Sequence, residues 1–229
     1  VLDRYVTDVQ NFLNDQQGQF FAVPTLHNYI NRARRRVAAV SGCIRLLPEG
    51  TQTVARQETY PFSAWKSLVQ AKPGVDSILA VRSLAVAIGP GGWKPVWRRI
   101  PWTDFQARFR LYNKTWLGAL SEPGWFSQYG VGNDAVLYLA PIPAMAMPME
   151  LDFSCLPLPL LTDDDPEPLV YPWTDAVAYW AATLALMQQQ RLQDAKVMAD
   201  LFNTDLPMCA AVVCPQMIVN PHGATLRSA

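Results

Sequence analysis

The chain of 229 residues sets 19 Lys+Arg against 19 Asp+Glu, and is 50% hydrophobic but only 17% charged. This excludes a freely basic nucleic-acid binder, and so low a charged share, against about 25% in typical domains, predicts apolar surface reserved for an interface. No run approaches about 18 uninterrupted apolar residues, so no membrane span is expected.

Asp3, Arg4 and Asp8 interrupt the opening stretch, which therefore does not read as a signal peptide. Cys43, Cys155, Cys209 and Cys214 are too few and too scattered for a disulfide scaffold, which favours a reducing, intracellular origin. Leu2, Val6, Val9 and Leu13 make one stripe of a short helix. A second helix is predicted from Pro24 or Thr25, with Leu26, Ile30, Ala33, Val37 and Val40 as its apolar stripe and Gly42 as its stop. On it, Arg34 and Arg35 are expected to point away from the stripe, with Arg32 and Arg36 flanking it.

From Ile44 to about Leu160, prolines and glycines interrupt short β-like runs such as Ser77 to Ile88 and Trp93 to Arg98. Pro101 to about Leu111 reads as one short helix. Val136 to Leu139 and the alternating Met149 to Phe153 read as two antiparallel strands joined by a Pro-rich loop. In the second, Met149, Leu151 and Phe153 take the buried face, and Glu150 and Asp152 the other. After the acidic segment Asp163 to Pro168, Thr174 is the expected cap of a helix that is apolar nearly all round from Ala176 to Met187. Such a helix is buried on every side, most easily by subunit packing. Gln188 to Arg191 reads as a turn or a helix surface. Leu192, Ala195, Ala199 and Phe202 form a further amphipathic helix. Beyond Pro207 the chain is expected to be extended and sticky.

The expected fold is α+β: a bundle of N- and C-terminal helices with an inserted β-rich domain and an extended C-terminal tail. The divisions are 1–43 for the first helices, 44–160 for the β domain, 161–203 for the closing helices and 204–229 for the tail.

Chemistry is sparse. With two histidines, His27 and His222, there is little material for a base and its orienter. No catalytic, metal or cofactor-binding residue is read. Gly89-Pro90-Gly91-Gly92 lacks the Lys-Ser/Thr of a phosphate loop and reads as a turn. Asp163, Asp164, Asp165 and Glu167 lack the calcium-loop spacing and read as a solvated loop. Cys209, Cys214 and His222 are an incomplete zinc set and read as packing residues. The basic cluster Arg32, Arg34, Arg35, Arg36 could follow DNA phosphates, pair with a neighbouring subunit or form a solvated face. The tail residues Leu206, Met208, Val212, Val213, Met217, Ile218, Val219 and Leu226 suit a groove on a partner.

Tyr138-Leu139-Ala140-Pro141-Ile142-Pro143, the strand Met149–Phe153 and the helix opened by Tyr171-Pro172-Trp173-Thr174-Asp175-Ala176-Val177 resemble neck proteins of tailed bacteriophages. More narrowly they resemble head-to-tail adaptor, or connector, subunits. The helix with Asn28, Arg32, Ala33 and Arg36 is similar to the opening helices of that family. The resemblance implies a homo-oligomeric ring, usually of twelve subunits, that docks on the portal protein and extends its channel. It implies a virion protein at the head-tail junction, assembled in the host cytoplasm. Its partners would be the portal, tail or nozzle proteins, identical subunits, and packaged double-stranded DNA bound without sequence specificity; no membrane is involved. The tail would reach into the portal. Trp93, Trp97, Trp102, Trp116 and Trp125 of the middle region have no counterpart in that pattern.

Two other readings stand beside it. One is a tail-associated β-domain binding module that contacts a receptor or carbohydrate through exposed aromatics. The other is an enzyme acting through the acidic loop.

Overall fold

In the computed structural model, residues 1–87, 93–94, 98–110 and 124–213 are described. Helix α1, Leu2–Leu13, forms where the sequence stripe requires it: Leu2, Val6, Val9 and Leu13 are all buried. Asn14 closes it in the left-handed region (φ 58°), donating its N–H back to the last turn. The loop that follows is organised by Asp15. This buried carboxylate accepts from the backbone N–H of Gln19 at 2.8 Å and of Phe20 and Phe21 at 3.1 Å each. Helix α2, Val23–Ser41, buries Leu26, Ile30, Ala33 and Val37. Each of the larger three contributes about 1.5–3 kcal/mol. Val40, read as the last member of that stripe, is exposed. Gly42 (φ 60°) stops the helix and donates to Ala38 O at 2.9 Å.

The chain separates into two compact units, Val1–Val37 with Val170–Ala229, and Ala38–Leu169. The fold is α+β, with helices toward both ends of the sequence and strands inserted between them.

Among the described residues, the second unit holds two four-stranded sheets. The first has the order β1 (Arg45–Leu46), β8 (Met149–Pro157), β3 (Val75–Ala87), β4 (Trp93–Lys94), all antiparallel. The second has the order β2 (Thr59–Pro61), β7 (Val136–Ala140), β6 (Trp125–Tyr129), β5 (Arg98–Arg99), with β5 parallel to β6. A 3-10 turn, Phe62–Trp65, leads into the short helix α3, Lys66–Gln70. Helix α4, Trp102–Phe105, continues as a π-helical turn over Gln106–Arg110.

The hairpin expected between Val136–Leu139 and Met149–Phe153 does not form. Both strands exist, but β7 pairs with β2 and β6, whereas β8 pairs with β1 and β3. A proline-bearing connection with Pro141, Pro143 and Pro148 lacks the N–H groups a tight ladder needs, and the chain crosses to the other sheet. That connection is held by the 51–56 segment instead. Thr53 N–H donates to Met147 O at 2.8 Å, Met147 N–H donates to Thr53 Oγ1 at 2.9 Å, and Arg56 N–H donates to Pro143 O at 2.8 Å.

Strand β3 carries three register shifts against β8, which leave Asp76, Leu79 and Arg82 as extra residues. Bulges spaced so closely bend and twist the strand. The backbone groups they free are taken up by side chains. Gln128 of β6 accepts from Val81 N–H and donates to Leu79 O, both at 3.1 Å, and Ser154 Oγ donates to Ala80 O at 3.3 Å. Around Phe153, which is fully buried, Phe62 and Trp65 pack with ring centroids at 6.2 and 5.4 Å.

In the first unit, α5 (Trp173–Gln188) lies among its neighbours α1 and α6 (Leu192–Val213) and is also touched by α2. Ala176, Val177, Ala178, Ala181, Ala182, Ala185 and Leu186 are buried; Leu184 is half-buried and Met187 is exposed. The all-round apolar helix is thus enclosed largely by its own chain, because five of those seven side chains are alanines that let helices approach closely. Thr174 does not cap it: the N-cap is Pro172 with no side-chain bond, and Thr174 lies inside the helix. Gln190 (φ 60°) makes the turn into α6.

Helix α6 corrects the expected end of the closing helices. It runs through Pro207 to Val213. Proline in a helix interior removes a hydrogen bond and costs about 3 kcal/mol. Buried Phe202, Leu206 and Cys209 on either side of it supply the packing that holds the helix across the break.

Candidate interaction surfaces

The four arginines singled out in the sequence divide into different environments. Helix α2 has no acidic residue from Val23 to Ser41, so its charge is uncompensated along its own length. Arg32, Arg35 and Arg36 are exposed. Arg34, expected to point outward, is fully buried and donates from Nη1 to Asn31 Oδ1 at 3.0 Å. The helical period explains the error: position 34 is one step from Ala33 and three short of Val37, so it falls on the edge of the buried stripe. Arg36 lays its guanidinium 5.5 Å from the Trp180 ring centroid. The outward line of α2 is therefore Asn28, Arg32 and Arg35, at spacings of four and three.

The second predicted set begins inside α6 rather than in an extended tail. Leu206 faces the core at 9% exposure, and Met208 faces outward at 62%. Val212 and Val213 fall in the last turn of the helix. Met217, Ile218, Val219 and Leu226 lie outside the described residues, as do Cys214 and His222 of the incomplete zinc set and the turn Gly89–Gly92.

An apolar line on α6 was missed. Val197, Leu201 and Met208 are 55%, 43% and 62% exposed, on the side opposite buried Ala195, Phe202 and Leu206. Leu192, assigned to the buried side, is 65% exposed. The signal was in the sequence: Val197, Leu201 and Met208 follow a helical spacing of their own. Exposed Asp200 lies on the same side, while Asp194 is already paired with Arg191 at 2.6 Å.

A third surface lies on the β unit. Trp102 packs on Tyr138 and Tyr129 with centroids at 4.4 and 5.1 Å, and Phe109 packs on Trp125 at 5.3 Å. Arg110 stacks over Trp102 and Tyr138 and lies 3.4 Å from Glu58. Burial raises the Glu58 carboxyl above its ordinary range, and the Arg110 charge opposes that shift. Tyr129 and Trp125 remain 55% and 37% exposed. Trp97 and Trp116 lie outside the described residues.

The acidic segment is used locally. Asp165 accepts from the N–H of Leu161 at 2.5 Å and of Thr162 at 2.7 Å, and Glu167 accepts from Leu169 N–H at 3.0 Å. Among the described residues, no group of three or more His, Cys, Asp or Glu converges on a point where an ion could sit. His27 is half-buried, and among the described residues its Nε2 has no hydrogen-bond partner. Cys155 is fully buried, and burial pushes its thiol up to about 12; Cys209 is pushed up to about 11 by burial and then by Asp205. Thiols so shifted are poor nucleophiles at neutral pH. No described helix is long and apolar enough to cross a membrane.

Three exposed features thus stand out among the described residues: an arginine line, an apolar line and an aromatic patch. The model of the SU10 adaptor protein family matches residues 3–210. No curated protein matches the chain.

Proposed function

The chain belongs to the SU10 adaptor protein family, and we propose that within it the protein is a head-to-tail adaptor whose subunits form a ring on the portal. The role is structural. The ring extends the DNA channel below the portal and offers the tail or nozzle proteins their attachment, at the head-tail junction of the virion. The observation that carries this reading is the extent of the family match, 3–210, which takes in both the helical and the β unit. Exposed apolar residues on α6 support it, since a subunit that worked alone would gain nothing by leaving them in water.

The portal-binding element is then the segment beyond Val213, which contains Met217, Ile218, Val219 and Leu226. Leu206 is part of the α6 core, so a deletion that tests docking begins at 214. Particle mass of the purified chain, alone and mixed with portal rings, tests the reading. The expected result is a closed ring on the portal, lost when 214–229 are removed from a chain that still folds. A chain that stays monomeric with the portal, or a deletion that docks unchanged, overturns the corresponding part.

One observation favours the second reading, a tail-associated binding module: the half-exposed patch of Trp102, Tyr129, Tyr138 and Trp125 on the β unit. Aromatic faces of this kind serve as platforms for sugars or protein loops. A glycan-binding screen, with Tyr129→Ala as control, separates it from the adaptor role.

A further inference from the structure

We propose that the cleft between the 47–51 loop and the start of β8 docks an extended polypeptide segment of a partner, one that carries an arginine beside an aliphatic residue. The site lies wholly within the β unit and is independent of the ring reading.

The cleft exists because strand pairing lapses there. Strands β1 and β8 pair at Arg45↔Ser154 and Leu46↔Phe153. Continued at that register, Pro48 would lie opposite Leu151, and proline has no N–H to give a ladder. The chain instead turns at Glu49 and Gly50, where Gly50 takes φ 75°. It returns one residue out of register: Gln52 bridges Pro148, and Met149 N–H donates to Thr51 O at 2.8 Å. The detour leaves a cavity of about 480 Å³, lined in part by Leu47, Pro48, Glu49, Met149 and Glu150. That volume is within the range of ligand clefts, about 300–1,000 Å³.

The lining sets the chemistry of the occupant. Pro48 and Met149 are buried and give apolar wall, and Leu47 is an exposed apolar side chain. Glu49 and Glu150 are exposed, and among the described residues neither makes an ion pair. No basic residue lines the cavity, and Arg45 of the same edge is committed to Asp152. Thr51 spends its hydroxyl on Met149 O. The cleft therefore offers two carboxylates and apolar wall. Two carboxylates fall short of the about six to eight oxygens that a calcium ion takes. An arginine matches both features, since its stem covers apolar surface and its planar fork bonds carboxylates. Leu47 is left for an aliphatic neighbour of that arginine, which a free polyamine does not bring but a polypeptide does.

The test is titration of the full chain with a short fluorescein-labelled peptide in which one arginine stands between two leucines in an alanine background. Saturable binding is expected, with amide shifts centred on Glu49, Gly50 and Glu150. Citrulline in place of the arginine keeps the shape and drops the charge, and is expected to weaken binding about tenfold or more. The pair Glu49→Gln with Glu150→Gln should do the same in a chain that melts like the parent. The citrulline comparison uses the unaltered chain, so it decides even if that variant folds poorly. No saturable binding at millimolar peptide overturns the proposal, as does equal affinity for the citrulline peptide or unchanged affinity in the double variant. Spermidine that displaces the peptide at equal concentration would make the cleft a general cation site and overturn a polypeptide as its occupant. None of these outcomes touches ring assembly, which particle mass reads separately.

Discussion

Arg45 grips Asp152 across the β1–β8 edge, donating from Nε to Oδ1 at 3.1 Å and from Nη2 to Oδ2 at 2.5 Å. Asp152 is only 4% exposed, although the alternation of its strand assigns it to the polar face. The guanidinium, half in solvent, lets this carboxylate sit where a solvated one could not. Replacing Arg45 by Met leaves the carboxylate buried with its main partner gone. A loss of about 2–4 kcal/mol is expected, below the full cost for a completely buried pair because Arg45 is half-exposed. Urea unfolding of the single variant measures it; a change under 0.5 kcal/mol would mean the pair is incidental.

Gln128 completes the bulged strand β3. Gln128→Leu keeps the side-chain volume but leaves Val81 N–H and Leu79 O without this amide. About 1–3 kcal/mol of destabilisation is expected. Amide hydrogen exchange reads it directly: Val81 should lose protection well before the rest of β3.

Two glycines with left-handed backbone should respond differently to alanine. A Cβ on Gly74 (φ 78°) would lie 2.4 Å from Pro166 O, whereas one on Gly50 (φ 75°) meets nothing within 4 Å. Gly50→Ala is expected to cost only the backbone strain, about 1–2 kcal/mol. Gly74→Ala adds a collision with backbone and should cost visibly more. Equal melting temperatures for the two variants would contradict the packing at Gly74.

Within the helical unit, overpacking should hurt more than truncation. Ala181 is fully buried and Leu184 only half-buried. Ala181→Leu is expected to destabilise by about 1–3 kcal/mol. Leu184→Ala should fall at or below the lower end of the 2–5 kcal/mol typical of buried leucines. Thermal unfolding of both variants ranks them.

Alkaline pH should weaken the fold. Burial raises the thiols of Cys43, Cys155 and Cys209 and the hydroxyls of Tyr60 and Tyr179. In the unfolded chain these groups lose protons first, so the folded state binds more protons and stability falls as pH rises. For Cys155 the fall runs from about pH 8.5 to about 12. Urea midpoints between pH 8 and 10 should decline under reducing conditions, and less steeply in Cys155→Val.

The local periods determined a good deal. The stripes Leu2–Val6–Val9–Leu13 and Leu26–Ile30–Ala33–Val37 were legible because a core-facing helix face must recur every three or four residues. Gly42 was legible as a stop, and the order of helices, strands and helices followed from proline and glycine spacing. What the tertiary structure alone decided was pairing and partnership. Which strand lies beside β8 depends on contacts distant in sequence, and a local pattern carries no term for them, so β7 and β8 looked like a hairpin and are not. The fate of a polar residue depends likewise on what it meets: Arg34 is buried beside Asn31, Asp152 is buried under Arg45, and Pro207 is carried inside a helix by the packing of Leu206 and Cys209. Burial of a charge or a proline is set by such long-range contacts, whose energies exceed the local preferences that a single sequence displays.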